Sequence, residues 1–225
     1  MSKTTAMKIL LTFVTLLLGV FPAVAQTIRP DLHKSELWEI TNRKVEKFTD
    51  GDKKAIKFDQ NDDEGFMILK DYNFSEGTIE FDVKGKNVLQ QSFVGVTFHM
   101  QDLKRSDVLY FRPFNFMNPD TIRRPRSVQY SSLPEYPWPK LRESFPGKYE
   151  NKVNPVPNPD DWFHVKITVA GKSIKVYVEN ASTPSLEVES LSKFTTGKIG
   201  LWAGPLSDPS FANLEITPAS SGKKP

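Results

Sequence analysis

Apolar and polar residues alternate with a period of two along much of the chain. In residues 78–84, Ile79, Phe81 and Val83 fall on one side and Glu80, Asp82 and Lys84 on the other, the pattern of an antiparallel strand with one wet face. Residues 93–99 repeat it, with Val94, Val96 and Phe98 on one face and Phe93, Gly95, Thr97 and His99 on the other. Residues 162–169 alternate as cleanly, turn at Ala170-Gly171-Lys172 and return along 174–178, which predicts a hairpin. Shorter strands are expected at 37–40 and 53–58, separated by the turn at Asp50-Gly51-Asp52, and at 65–69, 186–188, 198–202 and 211–216. No helical period stands out, so the expectation is an all-β sandwich or jelly roll.

The stretch Asp107-Val-Leu-Tyr-Phe-Arg-Pro-Phe-Asn-Phe116 begins as a strand and ends in the longest irregular segment. Alternation puts Leu109, Phe111 and Pro113 on a core-facing side, and Tyr110, Arg112 and Phe114 on a side free to meet a loop or ligand. Residues 113–159 hold ten of the seventeen prolines, a density that removes ladder donors and precludes regular sheet throughout. A brief strand is expected at 126–131. Aromatics along the segment, among them Tyr136, Trp138, Phe145 and Tyr149, argue against disorder, and a loop of this length in a compact domain is usually functional.

The termini and the charge narrow the setting. A basic start, an apolar run from Ile9 to Val20 and the exit Ala23-Val24-Ala25 before Gln26 make residues 1–25 a signal peptide, too short for a membrane span of about 20 apolar residues. One domain at 26–219 with a flexible tail at 220–225 would remain. Removing the leader takes away Lys3 and Lys8 and lowers the formal charge from +3 to +1, which gives no reason to expect nucleic acid. The absence of cysteine excludes disulfides, thiolate metal sites and a cysteine nucleophile, and fits a bacterial periplasmic or secreted protein.

The succession Gly77-Thr-Ile-Glu-Phe-Asp82, Phe93-Val-Gly-Val-Thr-Phe98, Trp162-Phe-His-Val-Lys-Ile167, Lys175-Val-Tyr-Val-Glu-Asn180, Gly197-Lys-Ile-Gly-Leu-Trp202 and Phe211-Ala-Asn-Leu-Glu-Ile216 resembles the concanavalin A-like lectin/glucanase superfamily. Within it, laminin G-like modules and the bacterial 3-keto-disaccharide hydrolase domains are the nearest likenesses. The resemblance implies a jelly roll of two curved antiparallel sheets, with any glycan lying across the concave face. Such jelly rolls host lectins, glycoside hydrolases, polysaccharide lyases and adhesion modules.

Glucanases of the superfamily carry Glu-x-Asp-x-x-Glu, because retaining hydrolysis needs two carboxyls about 5 Å apart. Here Glu80 and Asp82 are followed by Gly85 where the last Glu would stand, which argues against that chemistry. The favoured constellation is His99 or Tyr110 as proton carrier, with ligand-binding residues Arg112, Asn115, Gln129, Tyr136, Trp138 and Arg142. From Arg112 to Lys152, eight basic residues face four acidic ones, which suits a sugar stacked on an aromatic with acidic substituents held by arginine. The alternative is that Arg112 pins the loop through Glu135 or Glu150. Asp59, Asp62, Asp63 and Glu64 could hold Ca2+, although the EF-hand spacing is absent. No zinc motif, phosphate loop or dinucleotide fingerprint occurs.

Three functions remain open at this point: an exported carbohydrate-binding protein, an enzyme on the same face (a lyase or hydrolase of a modified or 3-keto sugar), and an envelope domain that binds another protein.

Overall fold

The computed structural model describes residues 26–220; the expected signal peptide and all but the first residue of the expected tail lie outside them. Fourteen strands follow in chain order: β1 (Trp38–Thr41), β2 (Val45–Asp50), β3 (Lys53–Phe58), β4 (Gly65–Leu69), β5 (Gly77–Lys84), β6 (Val94–Asp102) and β7 (Arg105–Phe111). After these come β8 (Val128–Leu133), β9 (Glu150–Asn151), β10 (Trp162–Ala170), β11 (Ser173–Val178), β12 (Leu186–Glu189), β13 (Lys198–Ala203) and β14 (Ser210–Pro218). They form two antiparallel sheets of seven, the front sheet in the order β1-β4-β13-β6-β7-β8-β9 and the back sheet β12-β11-β10-β5-β14-β3-β2. This is the all-β jelly-roll sandwich of the concanavalin A-like class.

The core lies between the sheets and is built by the alternation seen in the sequence. Ile79, Phe81 and Val83 of β5 and Val165, Ile167 and Val169 of β10 meet Val94, Val96 and Phe98 of β6 and Leu109 and Phe111 of β7, all of them buried. Each aliphatic or aromatic side chain so buried contributes about 1.5–3 kcal/mol. The hairpin at Gly171, where φ is 57°, joins β10 to β11 in the expected register.

Two elements differ from the sequence reading. The edge strand β2 is mostly polar, with only Val45 and Phe48 partly covered, so its period carries little signal. The proline-rich segment holds β8, the two-residue β9 and two short helices, α1 (Pro113–Phe116) and α2 (Trp138–Ser144). Proline lies in the first turn of each helix, where its fixed φ suits the start and its missing N–H is not needed. Phe114, Phe116, Leu141, Tyr149 and Val153 from this segment are buried, which fixes it as a wall against the sandwich.

No helix among the described residues is long and apolar enough to cross a membrane.

Candidate functional site

A second, smaller apolar layer covers the face of the front sheet that turns away from the core. Phe66, Ile68, Met100, Val108, Tyr110 and Trp202 form it, with Phe93 and Leu133 packed against them. Register explains the arrangement. Trp202 pairs with Gly95, Gly95 with Tyr110, Tyr110 with Gln129, and Gln129 with Glu150, one row across five strands. Gly95 adds no side chain between its neighbours, so the Trp202 and Tyr110 rings approach to 5.1 Å.

The proline-rich wall rises beside this row and encloses a cleft of about 630 Å3. Its floor is Tyr110, Trp202, Phe93 and Val108, its wall Phe114, Asn115, Arg126, Trp138 and Arg142, and its far rim Glu64, Gln90, Pro205 and Leu206. Trp138 is 46% exposed, although it is a large aromatic. It sits at the start of α2, where the Arg142 guanidinium lies 4.8 Å from its ring centroid.

Arg112 organises the inner end. Its Nη2 donates to the Tyr110 hydroxyl at 2.8 Å, its Nη1 donates to the Arg126 carbonyl at 3.0 Å, and its guanidinium lies 4.8 Å from the Tyr110 ring centroid. Because Arg112 occupies the acceptor side of that hydroxyl, the phenolic proton is free to point into the cleft. Burial pushes the Tyr110 phenol up to about 12, so it is a hydrogen-bond donor at neutral pH. Glu150 is held by two arginines, Arg142 in two-point contact at 2.9 and 2.6 Å and Arg112 at 3.8 Å. The Glu150 link that would pin the loop is therefore present, and Glu135 pairs instead with Lys193.

Among the described residues, the single carboxylate in the cleft lining is Glu64, just ahead of β4. Its Oε2 accepts from Trp202 Nε1 at 3.3 Å, and burial raises its pKa against the opposing pull of that bond and of the nearby Arg43. The Asn115 Oδ1 and the Ser131 Oγ, both from residues lining the cleft, are buried without a partner among the described residues.

The structure brings together Tyr110, Arg112, Asn115, Trp138 and Arg142 as the sequence proposed, and separates three others. Gln129 lies beneath Arg112 rather than in the cleft; its Nε2 donates to the carbonyls of Tyr130 and Tyr149. Tyr136 lines a different cavity of about 210 Å3, with Leu191 and Phe194. His99 departs furthest. Phe98 and His99 together oppose Ile199, a bulge at which His99 takes a φ of 50° and the alternation slips by one. His99 is thereby turned inward with Phe98. Its Nε2 donates to the Ser75 carbonyl at 2.7 Å and its Nδ1 meets Asp107 Oδ2 at 2.8 Å, with Tyr130 donating to the other carboxylate oxygen at 2.7 Å. Both ring nitrogens are engaged away from the cleft.

The acidic cluster proposed for Ca2+ also divides. Asp59 accepts the Lys44 backbone N–H at 2.7 Å, Glu64 enters the cleft, and Asp62 and Asp63 face solvent. Among the described residues no group of three or more metal-ligating side chains converges. Trp202 and Phe93 were not picked out from the sequence as site residues, and Glu64 was picked out only as a candidate Ca2+ ligand. Strand parity alone would have put Trp202 beside Tyr110 had the neighbour order of β6 and β13 been known.

Solved structures share this fold. The carbohydrate-binding module CBM66 from Bacillus subtilis superposes with a TM-score of 0.58 at 15% identity, over 80% of this chain and 96% of that one. A Bacillus subtilis protein of unknown function with a galectin-like fold gives 0.57 at 13%, over 88% and 97%. The VIP36 exoplasmic/lumenal domain in its Ca2+/Man3GlcNAc-bound form gives 0.56 at 8%, over 87% and 89%. No curated protein matches the sequence. The family model of the 3-keto-alpha-glucoside-1,2-lyase-like domain matches residues 31–217, and the chain belongs to that family.

Proposed function

We propose that this chain is an exported protein that binds a carbohydrate in the cleft between the front sheet and the proline-rich wall. The observation that carries the reading is the half-exposed Trp138 set opposite an aromatic floor, with guanidinium, phenol and amide groups at the same cleft. Sugars are held in this way, by ring faces on aromatics and hydroxyls on fixed polar groups. The Bacillus subtilis carbohydrate-binding module and the oligosaccharide-bound VIP36 domain, which share the fold, support it. Export rests on the leader-like pattern of residues 1–25.

A second reading, an enzyme that eliminates across a 3-keto glucoside, is favoured by the family description and by one observation: a carboxylate and a phenolic donor line one cleft. A glycan panel that includes 3-keto glucosides, read for binding and for released alcohol, tests both. Binding without release, lost in Trp138→Ala, supports the first reading, and release supports the second. No binding to any sugar removes both.

A further inference from the structure

We propose that the inner end of the cleft is an anion site and that the glycan it selects carries an acidic group, a carboxylate or a sulfate ester, an assignment that deepens the sugar-binding reading above and rests on it. Four arginines line the cleft, Arg112, Arg123, Arg126 and Arg142. Three of them are committed. Arg112 donates to the Tyr110 hydroxyl and the Arg126 carbonyl, Arg142 grips Glu150 at two points, and Arg123 lies 3.5 Å from Asp120. Arg126 differs. Its carbonyl takes the bonds from Arg112 and Asn115, while its guanidinium has neither a hydrogen bond nor a carboxylate partner among the described residues. The charge at this end does not balance. Burial holds the Arg112 guanidinium below its ordinary value, Arg142 and Arg126 push it the same way, and Glu150, 3.8 Å away, pulls against them. Three positive charges thus gather around one negative charge. Arg112 and Glu150 are almost wholly out of water, where the excess is weakly screened and attracts an anion.

The neutral groups complete the site and limit what carries the anion. The Tyr110 hydroxyl, protonated at neutral pH and already accepting from Arg112, is a second donor beside the Arg126 guanidinium. Asn115 is 3% exposed, its Nδ2 is spent on the Arg126 carbonyl, and its Oδ1 has no partner among the described residues. A buried acceptor of this kind requires a donor, which an anion lacks and a sugar hydroxyl supplies. The Ser131 Oγ, buried and likewise without a partner, asks for the same further along the cleft. The ligand therefore joins hydroxyls and an acidic group in one molecule, with a ring face for Trp138. A free sulfate or carboxylate would fill the Arg126 end alone. Glu64, on the far rim, does little to repel such a ligand, because burial favours its uncharged form.

The test is calorimetric titration of the full chain with three nitrophenyl sugars on one frame, the glucoside, the glucuronide and the glucoside 6-sulfate. Thermal melting verifies the fold of each variant. At least one acidic sugar is expected to bind tighter than the glucoside by about tenfold or more, the scale of one hydrogen bond to a charged group. Which of the two gains more distinguishes a carboxylate from a sulfate ester, and the gain shrinks as salt is raised. In Arg126→Gln the ratio of acidic to neutral affinity falls to within about twofold, and in Arg126→Lys, which keeps the charge without the planar fork, part of it returns. A merely structural role for Arg126 would lower both affinities and leave their ratio unchanged. Acidic sugars that bind no tighter than the glucoside overturn the anion site and leave the sugar-binding reading standing. So does a preference that persists undiminished in folded Arg126→Gln. If none of the three sugars binds, the sugar-binding reading itself fails, and the anion site with it.

Discussion

Arg142 and Glu150 close a two-point ion pair, Nε to Oε1 at 2.9 Å and Nη2 to Oε2 at 2.6 Å, which ties helix α2 to the edge of the front sheet. The Glu150 side chain is 9% exposed and also faces Arg112. That pair holds the guanidinium under Trp138, so the cleft wall depends on it.

Glu150→Ala leaves two cations without their shared partner. It is expected to lower stability by about 2 kcal/mol, less than the full penalty for a deeply buried pair because Arg142 reaches solvent. It should also weaken sugar binding about tenfold by loosening Trp138. Thermal melting and ligand titration of the same variant check both effects, and an unchanged affinity would show that Trp138 is positioned independently.

Trp138→Ala removes a side chain that the fold barely uses. Melting is expected to stay within about 0.5 kcal/mol of the parent. Affinity for a bound sugar should fall about tenfold, the scale of one aromatic contact. Calorimetric titration decides, and a strong fall in stability instead would mean that Trp138 is structural.

His99→Ala strips the imidazole from Asp107, which is fully buried. Leaving a buried acceptor without one of its hydrogen bonds costs about 1–3 kcal/mol, so the melting temperature should drop. Sugar affinity of the folded variant should change less than twofold, because His99 faces the core. A large loss of affinity with normal melting would place His99 back in the site.

On the outer face of the back sheet, Asp82 accepts from His164 at 2.9 Å, Lys53 at 2.6 Å and Asn213 at 2.8 Å. Burial pushes the Asp82 carboxyl up, but these hydrogen bonds outweigh it and bring it from 3.8 down to about 2. The folded value is depressed, so the contribution is present above about pH 4 and is lost as pH falls toward 2; it amounts to about 2 kcal/mol. The bond to Asp82 and, against it, burial leave His164 raised above 6.5, with Glu80 adding to the rise. That contribution is full below 6.5 and is lost as pH climbs through the raised value. Both shifts describe one ion pair and are not added. Asp82→Asn should flatten both limbs of a melting-versus-pH curve, and unchanged limbs would assign them to other groups.

The sandwich was legible because its strands obey a period of two. Leu109 and Phe111 point to the core and Tyr110 to the cleft, as alternation requires. His99 was not legible, because a single extra residue in β6 reverses the faces beyond Phe98 and nothing in the local composition announces it. Glu64 was hidden for another reason. In sequence it ends a run of acidic residues, and only the hydrogen bond from Trp202 of β13 sets it apart from the exposed Asp62 and Asp63. The helices of the proline-rich segment are too short to display a period.

The wall of the cleft comes from two stretches of chain on either side of β8, residues 112–127 with α1 and residues 134–149 with α2. The floor belongs to the sandwich and Asn115, Arg126, Trp138 and Arg142 to these two stretches, so frame and cleft wall are carried by different parts of the chain. Exchanging these two stretches between related chains, with β8 and β9 kept, would graft a new ligand preference onto an unchanged frame.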